Sequence, residues 1–534
     1  MPNTKKLLSI TNLKKYFPIA KSSIFQKEQL YVRANEDISL DIYEGETIGI
    51  VGESGCGKST LGRVLLQLYD QTAGTTVYYG VPRAEVAPKY VLHTLKHVDK
   101  YISKLHAAQA HADALTKKAD ELGDNASFFD LQKKNLAIAE YQTVQAHISK
   151  ILGGFVVADT DAGAALLYKK ALIEDAAAAL SDKIRDIDLE ISDIDAANDE
   201  KNAAKAAKKR ASLVSKRYKL AGERDVKNGE IAELDSKIAE LKKPHANDPE
   251  FMRYEAMLDD GIDLARLKYS EMRHLRKDLQ IVFQDPYSSL NPRMTVGQII
   301  EEGLVAHKMY KHGSPLMKEH ILNVMRQCGL QDYMLHRYPH QFSGGQRQRI
   351  SIARALAVHP KFVVCDECVS ALDVSIQSQI INLLQELKEK EHLTYMFISH
   401  DLSVVRYISD RICVMYLGNV VELGDAATIF DDPRHPYTVA LLSSIPTTDI
   451  ESLKKERILL EGNIPSPIKP PSGCKFHTRC YMACDKCKRV PPELREIEPG
   501  HFIACHFPEK KIDSEGNYLF KLPSMEKKSV KDLD

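Results

Sequence analysis

The stretch Gly52-Glu53-Ser54-Gly55-Cys56-Gly57-Lys58-Ser59 decides the fold of the first part of the chain. It fits the pattern G-x-x-x-x-G-K-[ST], follows an apolar run at residues 47–51 and precedes residues 59–68, which have helical character. A strand, a glycine-rich turn and a helix in this order form a loop whose backbone N–H groups face phosphate oxygens. We therefore predict a phosphate-binding loop in an α/β domain.

The side chains of this loop match the parts of a nucleoside triphosphate site. Lys58 is expected to reach the β- and γ-phosphates, and the Ser59 hydroxyl is expected to ligate Mg²⁺. The other residues of the loop that we expect to bind the nucleotide are Gly52, Ser54, Gly55, Gly57 and Thr60.

Further polar residues follow apolar runs in the second half of the chain. Residues 361–365 read as a buried strand that ends in Asp366 and Glu367. Asp366 is expected to hold the Mg²⁺ shell, and Glu367 to act as the general base on the attacking water. Gln284 and His400 also follow short apolar runs. The Gln284 amide could touch both Mg²⁺ and the water, and the His400 imidazole could contact the γ-phosphate.

The order of these motifs resembles that of ABC-transporter ATPases. Gln284, residues 343–346, Asp366-Glu367, residues 370–373 and His400 resemble the Q-loop, signature, Walker B, D-loop and switch histidine of that family. The resemblance implies an α/β fold with a RecA-like core and a helical subdomain, and a face-to-face pair of such domains.

The resemblance also assigns further residues to ATP. It implies that the signature residues Ser343, Gly344 and Gly345 bind the γ-phosphate of the ATP held by the partner subunit. Phe17 is similar to the aromatic residue that stacks on adenine in the family, with Tyr16 as the alternative. The other two positions that we assign to the nucleotide on this basis are Gln346 and Asp373.

Longer stretches resemble the ATP-binding subunits of oligopeptide and dipeptide importers, and most of all their F-type subunit. They are residues 51–63, 281–296, 338–355 and 401–418, and the resemblance covers residues 1–80 and about 272–508. It implies that ATP hydrolysis powers peptide import. The partners that it implies are a second homologous ABC ATPase in a heterodimer, two transmembrane permease subunits and, through the complex, an extracytoplasmic peptide-binding protein.

Two features depart from the family pattern. Cys368 stands where the family usually has proline after the Walker B glutamate.

Residues 81–270 interrupt the region between the phosphate loop and the Q-loop, and they are rich in Ala, Lys and Asp. Two sets of apolar residues there, spaced by three and four, predict an antiparallel coiled-coil hairpin or a small all-α subdomain. These sets are Leu180, Ile184, Ile187, Ile191 and Ile194, and Ile231, Leu234, Ile238 and Leu241.

The insertion has two interpretations. It is either a helical appendage that contacts a partner protein or a surface insertion that the fold tolerates in a loop. We favour a solvated surface over a specific ligand site for its Lys and Asp runs.

Five of the ten cysteines fall between Cys474 and Cys505, in an irregular Pro-rich segment. Such clustering predicts a metal or cluster site rather than disulfides. The spacing of Cys474, Cys480, Cys487 and Cys505 resembles the C-terminal segment of peptide-importer ATPases, which implies a [4Fe–4S] cluster. Zinc is the alternative, and Cys484 is an additional candidate ligand. The histidines that zinc could use instead are His477, His501 and His506.

Composition limits the other function classes. Lys+Arg and Asp+Glu both number 73, so the chain lacks the basic excess of a general nucleic-acid binder. No apolar run reaches the roughly 20 residues that span a bilayer. We therefore expect a peripheral protein at the cytoplasmic face of the cell membrane, with no nucleic-acid partner. An ABC-type ATPase of DNA repair or chromosome maintenance, with a coiled-coil insertion, is the alternative function.

These observations divide the chain into five predicted parts. Residues 1–80 are the first part of the ATPase domain, and residues 81–270 are a helical insertion. Residues 271–430 are the remainder of the ATPase domain. Residues 431–515 are a small irregular Cys-rich domain, and residues 516–534 are a polar tail.

Overall fold

The computed structural model describes residues 5–21, 29–123, 126–196, 203–445, 458–460, 462–512 and 519. The predicted polar tail, residues 516–534, lies outside the described residues except for residue 519.

An antiparallel sheet of four strands comes first. Its strands are β1 (Lys6–Pro18), β2 (Tyr31–Tyr43), β4 (Ala73–Tyr78) and β5 (Ile262–Asp263). They pair in the order β2-β1-β4-β5. Because β5 lies at residues 262–263 and pairs with β4, the sheet resumes earlier in the chain than the predicted insertion boundary at residue 270.

A second sheet has eight strands and carries the phosphate loop. Its strands are β3 (Thr47–Val51), β6 (Leu279–Val282), β7 (Phe362–Asp366), β8 (Thr394–Ile398), β9 (Arg411–Tyr416), β10 (Asn419–Asp425), β11 (Arg495–Glu498) and β12 (His501–Ile503). They lie in the order β11-β12-β10-β9-β3-β8-β7-β6, and the five strands from β9 to β6 are parallel. Every residue of β3, β7 and β8 is buried, as expected for central strands covered on both faces.

The register of the parallel strands decides where the site forms. Ile50 of β3 pairs with Ile398 of β8, and Ile398 also pairs with Asp366 of β7. The strands therefore end level with one another. The residues that follow each strand meet at one edge of the sheet, where α/β folds bind their ligands.

Helices outside the insertion pack around this sheet. They are α1 (Lys58–Leu65), α9 (Tyr269–Leu275), α10 (Pro286–Ser289), α11 (Val296–Ala306), α12 (Pro315–Gln327), α13 (Gly344–Leu356), α14 (Val374–Glu391), α15 (Leu402–Ile408), α16 (Ala426–Asp431), α17 (Pro436–Ser443) and α18 (Asp485–Arg489). Helices α11, α12 and α13 share the main hydrophobic core with β7 and β8, through residues such as Ile300, Met325 and Ile350.

The insertion consists of helices and contains more than one hairpin. Its helices are α2 (Arg83–Val86), α3 (Lys89–Lys96), α4 (Val98–Leu122), α5 (Phe128–Leu152), α6 (Thr160–Ala196), α7 (Ala203–Lys242) and α8 (Pro249–Glu255). It has a hydrophobic core of its own, which includes Leu105, Ile148, Phe155 and Phe251.

Helices α6 and α7 form the predicted antiparallel hairpin. Ile184, Ile187, Leu234 and Ile238 of the predicted apolar seam are buried. Ion pairs join the two helices along their length. The paired residues have increasing numbers on α6 and decreasing numbers on α7, so the two helices are antiparallel. These pairs are Lys170–Asp235, Asp188–Arg217 and Asp195–Arg210.

Helix α5 attaches the insertion to the antiparallel sheet. Gly74 N donates a hydrogen bond to Thr143 Oγ1 (2.9 Å), and Arg33 Nη2 donates one to Gln132 Oε1 (3.1 Å). The Arg33 guanidinium also lies 5.1 Å from the centre of the Phe128 ring. The insertion is therefore packed against the antiparallel sheet at its base.

Length and apolar composition decide whether a helix can cross a bilayer. None of the helices in the described residues could by itself cross a bilayer. Two segments, Phe128–Val156 and Thr160–Ala196, are long and apolar enough only when they are taken together, and the pair bends by 115°.

Glu36 of β2 connects the antiparallel sheet to the C-terminal region. Its carboxylate lies 3.3 Å from Lys475 Nζ, 3.5 Å from Arg33 Nη1 and 3.6 Å from Lys14 Nζ, and it accepts a hydrogen bond from the Tyr16 hydroxyl. Burial by itself would raise the pKa of Glu36, but the three cations lower it from 4.5 to about 2.

A carboxyl group whose pKa is lowered by folding stabilises the protein above its ordinary pKa, and this stabilisation is lost as the pH falls toward the folded-state value. We expect Glu36→Gln to remove about 3 kcal/mol at pH 7, and the difference from the wild type to shrink by about 2 kcal/mol between pH 7 and pH 3. Urea denaturation of the purified chain at both pH values measures this difference.

Glu46 is the matched control. It is buried and pairs with Arg411 at 3.3 Å, but burial outweighs the pairing and raises its pKa. The wild type should therefore gain stability relative to Glu46→Gln as the pH falls. Equal pH dependence in the two variants would show that the Glu36 ion pairs do not have the stated effect.

Candidate functional site

The phosphate loop lies directly against two neighbouring strands. A Cβ atom on Gly57 would lie 2.1 Å from the Ala34 carbonyl oxygen, and one on Gly52 would lie 2.2 Å from the Met415 carbonyl oxygen. Both glycines have positive φ, 102° and 146°. The loop therefore needs glycine at both positions, for space and for backbone conformation.

Lys58 folds back over the loop. Its side chain is buried, and Nζ donates hydrogen bonds to the carbonyl oxygens of Gly52 (2.7 Å) and Glu53 (3.1 Å). Ser54 and Gly55, at the tip of the loop, are exposed, and Thr60 lies in the first turn of α1. The ammonium group therefore lies within the loop, and the tip remains open to a ligand.

Two predicted magnesium ligands meet beside the loop. Ser59 Oγ donates a hydrogen bond to Asp366 Oδ1 (2.6 Å), although the residues are 307 positions apart. Asp366 is buried, and Arg63 Nη2 lies 3.5 Å from its Oδ2. A hydroxyl and a carboxylate are both oxygen donors that Mg²⁺ accepts, so this pair fits the ion.

The three residues predicted to be catalytic also come together. Gln284 Nε2 donates a hydrogen bond to Glu367 Oε2 (2.9 Å), and His400 Nδ1 lies 3.7 Å from the same oxygen. Glu367 has a positive φ of 50°. This turn lets Glu367 follow the buried Asp366 and still face Gln284 and His400.

Cys368 is buried directly after Glu367. The turn that it occupies is closed by a hydrogen bond from Ser370 N to the Glu367 carbonyl oxygen (3.2 Å). The two carboxylates therefore keep their positions with cysteine in place of proline.

The structure distinguishes Phe17 from Tyr16. Tyr16 is buried and its hydroxyl is bonded to Glu36, so it is not free to stack on a base. Phe17 is half-exposed, with its ring centre 5.5 Å from that of Tyr69 and 4.6 Å from Lys15 Nζ. Of the two candidates, only Phe17 offers an accessible ring.

The signature residues begin helix α13. Ser343 is its N-cap, with mutual hydrogen bonds to Gln346, and Ser343 and Gly344 are exposed. A Cβ atom on Gly345 would lie 2.4 Å from Ile376 Cγ2, so glycine permits the close packing against α14. Asp373 caps α14 by accepting a hydrogen bond from Ile376 N (3.0 Å). Among the described residues, no hydrogen bond joins this motif to the phosphate loop of the same chain.

Two residues of the site were missed by sequence reasoning. The Tyr437 hydroxyl accepts a hydrogen bond from Glu53 N (2.8 Å). Arg479 donates two hydrogen bonds to the Glu53 carboxylate, from Nη1 (2.7 Å) and Nη2 (3.0 Å). These partners lie 384 and 426 positions away from Glu53, and no local pattern in the sequence indicates them.

The four predicted cluster ligands line one small cavity of about 20 Å³. Burial raises the pKa of Cys474 to about 11 and that of Cys480 to about 12. Within the described residues, however, no three His, Cys, Asp or Glu side chains are arranged to hold a metal ion. The cavity residues that concern the prediction are Cys474, Cys480, Cys487, Cys505, His477 and His506.

Cys484 is not part of the cavity lining. Its Sγ lies 3.8 Å from Cys487 Sγ. His501 is also not among the lining residues, and its Nε2 lies 2.9 Å from Glu422 Oε1. Cys484 and His501 therefore lie outside the cavity that Cys474, Cys480, Cys487 and Cys505 line.

Two family models match the chain. One, described as "ABC transporter", matches residues 35–225 and 252–370. The other, described as "Oligopeptide/dipeptide transporter, C-terminal region", matches residues 421–487.

Curated relatives match about half of this chain. The oligopeptide transport ATP-binding protein AppF of Bacillus subtilis is 53% identical over 252 residues, which are 47% of this chain and 76% of AppF. The oligopeptide transport ATP-binding protein OppF of Haemophilus influenzae is 48% identical over 246 residues, 46% of this chain and 74% of OppF.

Solved structures give a weaker likeness. A dimeric bacterial ABC transporter cassette aligns with a TM-score of 0.40 and 16% identity, over 79% of this chain and 99% of the cassette. This likeness is too weak to support an inference.

Proposed function

This chain belongs to the ABC transporter family, and we propose that it is the subunit that binds and hydrolyses ATP to power an importer of oligopeptides or dipeptides. One observation carries the proposal: Ser59 meets Asp366, and Gln284 and His400 meet Glu367, at the edge of the sheet where the phosphate loop lies. The relatives of about 50% identity, named as oligopeptide transport ATP-binding proteins, support peptides as the cargo.

The loop would bind the triphosphate through its backbone N–H groups and Lys58. The Lys58 ammonium bonds two loop carbonyls, and it would exchange these contacts for the β- and γ-phosphate oxygens. Ser59 and Asp366 would hold Mg²⁺, which would neutralise charge on the phosphates. Phe17, whose ring is half-exposed, would stack on adenine.

Hydrolysis would depend on Glu367. Its carboxylate would take a proton from the attacking water, and Gln284 and His400, which lie at 2.9 and 3.7 Å from Oε2, would orient the carboxylate and the water. His400 would also donate a hydrogen bond to the γ-phosphate.

The signature would act on a second subunit. Ser343 and Gly344 are exposed at the N-terminus of α13, where the helix dipole and free N–H groups favour an anion. We propose that they bind, with Gly345 and Gln346, the γ-phosphate held by a homologous ATPase subunit, and that Asp373 contacts the same interface. ATP would then close the heterodimer, and hydrolysis would reopen it.

The remaining partners would be membrane subunits. We propose that residues 284–296 contact two permeases, and that the chain is held through them at the cytoplasmic face of the membrane. An extracytoplasmic peptide-binding protein would belong to the same complex. The relatives and family models described above give no support to the alternative function in DNA repair or chromosome maintenance.

Glu367→Gln tests the proposed chemistry. Loss of the general base should lower the rate of ATP hydrolysis by at least about 10²-fold in the assembled complex, while Mg-ATP binding remains. A phosphate-release assay and an equilibrium binding measurement separate the two quantities.

The control for this test is Glu386→Gln, which removes an exposed carboxylate in the last two turns of α14, where it pairs with Lys390 (3.9 Å). It should leave both hydrolysis and binding at the wild-type level. Wild-type hydrolysis in the Glu367→Gln complex would contradict the proposed role.

For the cavity of the C-terminal region, we propose a [4Fe–4S] cluster held by Cys474, Cys480, Cys487 and Cys505, with zinc as the alternative. The four thiols line one cavity and their burial disfavours free thiolates, so a bound cation would compensate the charge of the deprotonated ligands. The cluster would connect backbone segments that have few strands or helices of their own.

Anaerobic purification followed by iron, sulfide and zinc analysis tests this assignment. Cys480→Ser should lose the bound metal, and Cys484→Ser should retain it because Cys484 is not part of the cavity lining. Metal-free wild-type protein, or equal metal content in the two variants, would contradict the assignment.

For the insertion, we propose contact with a partner protein. Its two ends lie close together, since Arg83 Nη1 donates a hydrogen bond to the Asp259 carbonyl oxygen (2.7 Å). A short linker can therefore replace residues 87–256. We expect this deletion to preserve Mg-ATP binding by the purified chain and to reduce partner recovery and peptide uptake.

A smaller deletion provides the comparison. Replacing residues 189–216 by a turn shortens the α6–α7 hairpin at the Asp188–Arg217 ion pair (2.5 Å) and leaves the base of the insertion intact. Normal partner recovery and uptake in both deletions would show that the insertion is a tolerated loop.

A further inference from the structure

Glu53 is fixed by three groups from different parts of the chain. Its backbone N–H donates a hydrogen bond to the Tyr437 hydroxyl, and its backbone carbonyl accepts one from Lys58. Its carboxylate accepts two from Arg479. The backbone N–H, the backbone carbonyl and the side chain of Glu53 are therefore all hydrogen-bonded.

Arg479 is held rigidly by the C-terminal region. Its side chain is 7% exposed, and its backbone N–H donates a hydrogen bond to the Phe476 carbonyl oxygen (3.0 Å). Phe476 packs with Tyr416 and Tyr437, at ring-centre distances of 5.2 and 5.4 Å. The guanidinium therefore meets the phosphate loop with little conformational freedom left to lose on pairing.

The pair also has an electrostatic consequence. The Glu53 side chain is 26% exposed and belongs to the loop that would take a strongly anionic ligand. A free carboxylate there would repel phosphate oxygens, and the repulsion between unit charges a few ångströms apart is appreciable near a protein surface. A bidentate guanidinium neutralises this charge and holds the carboxylate in one orientation.

We propose that Arg479 is a positioning residue of the ATP site. By pairing with the Glu53 carboxylate at the start of the phosphate loop, it compensates a negative charge that would otherwise oppose nucleotide binding. The cysteine-rich C-terminal region is then a structural part of the ATP site. This inference rests on the proposed function, because it requires that the loop bind ATP.

Cys480 extends the connection to the cysteine cavity. It follows Arg479 directly, and its side chain lines the cavity with Cys474, Cys487 and Cys505. The packing of these thiols therefore helps to set the position of the Arg479 backbone.

The test measures the Kd of the purified full-length chain for Mg-ATP. Arg479→Gln leaves the Glu53 carboxylate uncompensated, and we expect the Kd to rise about tenfold. Glu53→Gln removes the charge itself, and we expect a Kd within about threefold of the wild type. The double variant Glu53→Gln/Arg479→Gln should have the Kd of Glu53→Gln, because no unpaired carboxylate remains.

Recovery in the double variant separates compensation of the Glu53 charge from a general loss of structure. If Arg479 only supports the fold, the double variant binds as weakly as Arg479→Gln, and the proposal is wrong. Unchanged binding in Arg479→Gln also overturns it. Arg479→Lys keeps the charge but loses the bidentate geometry, so its Kd should lie between those of the wild type and Arg479→Gln.

Arg434→Gln is the matched control. Arg434 is also buried in the C-terminal region, where it pairs with Asp432 (2.6 Å) and Glu498 (2.7 Å) rather than with the phosphate loop. We expect a lower melting temperature with an unchanged Kd, whereas an increase equal to that of Arg479→Gln would overturn the proposal. Failure of the wild-type chain to bind Mg-ATP would instead overturn the proposed function, and the inference with it.

Discussion

The parallel register of β3, β7 and β8 is the constraint on which the rest of the structure depends. Ile50, Ile398 and Asp366 lie side by side, so the loop after β3, the carboxylates after β7 and the histidine after β8 meet at one edge. Parallel strands need long crossover connections, and these connections separate the site residues widely along the chain. The 2.6 Å contact of Ser59 with Asp366 is the direct result.

The same constraint explains where a large insertion can be accommodated. The insertion leaves the antiparallel sheet after β4 and returns at β5, which pairs with β4 through Tyr78 and Ile262. Its ends are adjacent and its helices have their own core, so it adds a subdomain without altering the register of the parallel strands. Helix α5 fixes the base, whereas the long α6–α7 hairpin is stabilised by its own seam and by ion pairs between its helices.

Ion pairs connect the C-terminal region to the part of the chain before α1, in addition to the strand pairing of the eight-stranded sheet. Lys475 reaches Glu36 of β2, and Arg479 reaches Glu53 of the phosphate loop. Both cations belong to the same short cysteine-rich segment, and both carboxylates belong to the part of the chain before α1. Removal of one partner from such a pair is costly when the groups are shielded from water, because it leaves a buried charge without compensation. The position of the loop and the folding of the cysteine-rich segment are therefore coupled.

The sequence by itself determined the phosphate loop, the acidic strand end and the family, because each of these depends on residues that are adjacent in the chain. It also predicted that the insertion is helical, since helical periodicity shows which residues form an apolar seam. Only the tertiary structure showed that the Tyr16 ring is buried while the Phe17 ring is accessible, and only it brought Tyr437 and Arg479 to Glu53. These features depend on burial and on contacts between residues hundreds of positions apart, and no local pattern encodes which distant side chain fills the space beside a given residue.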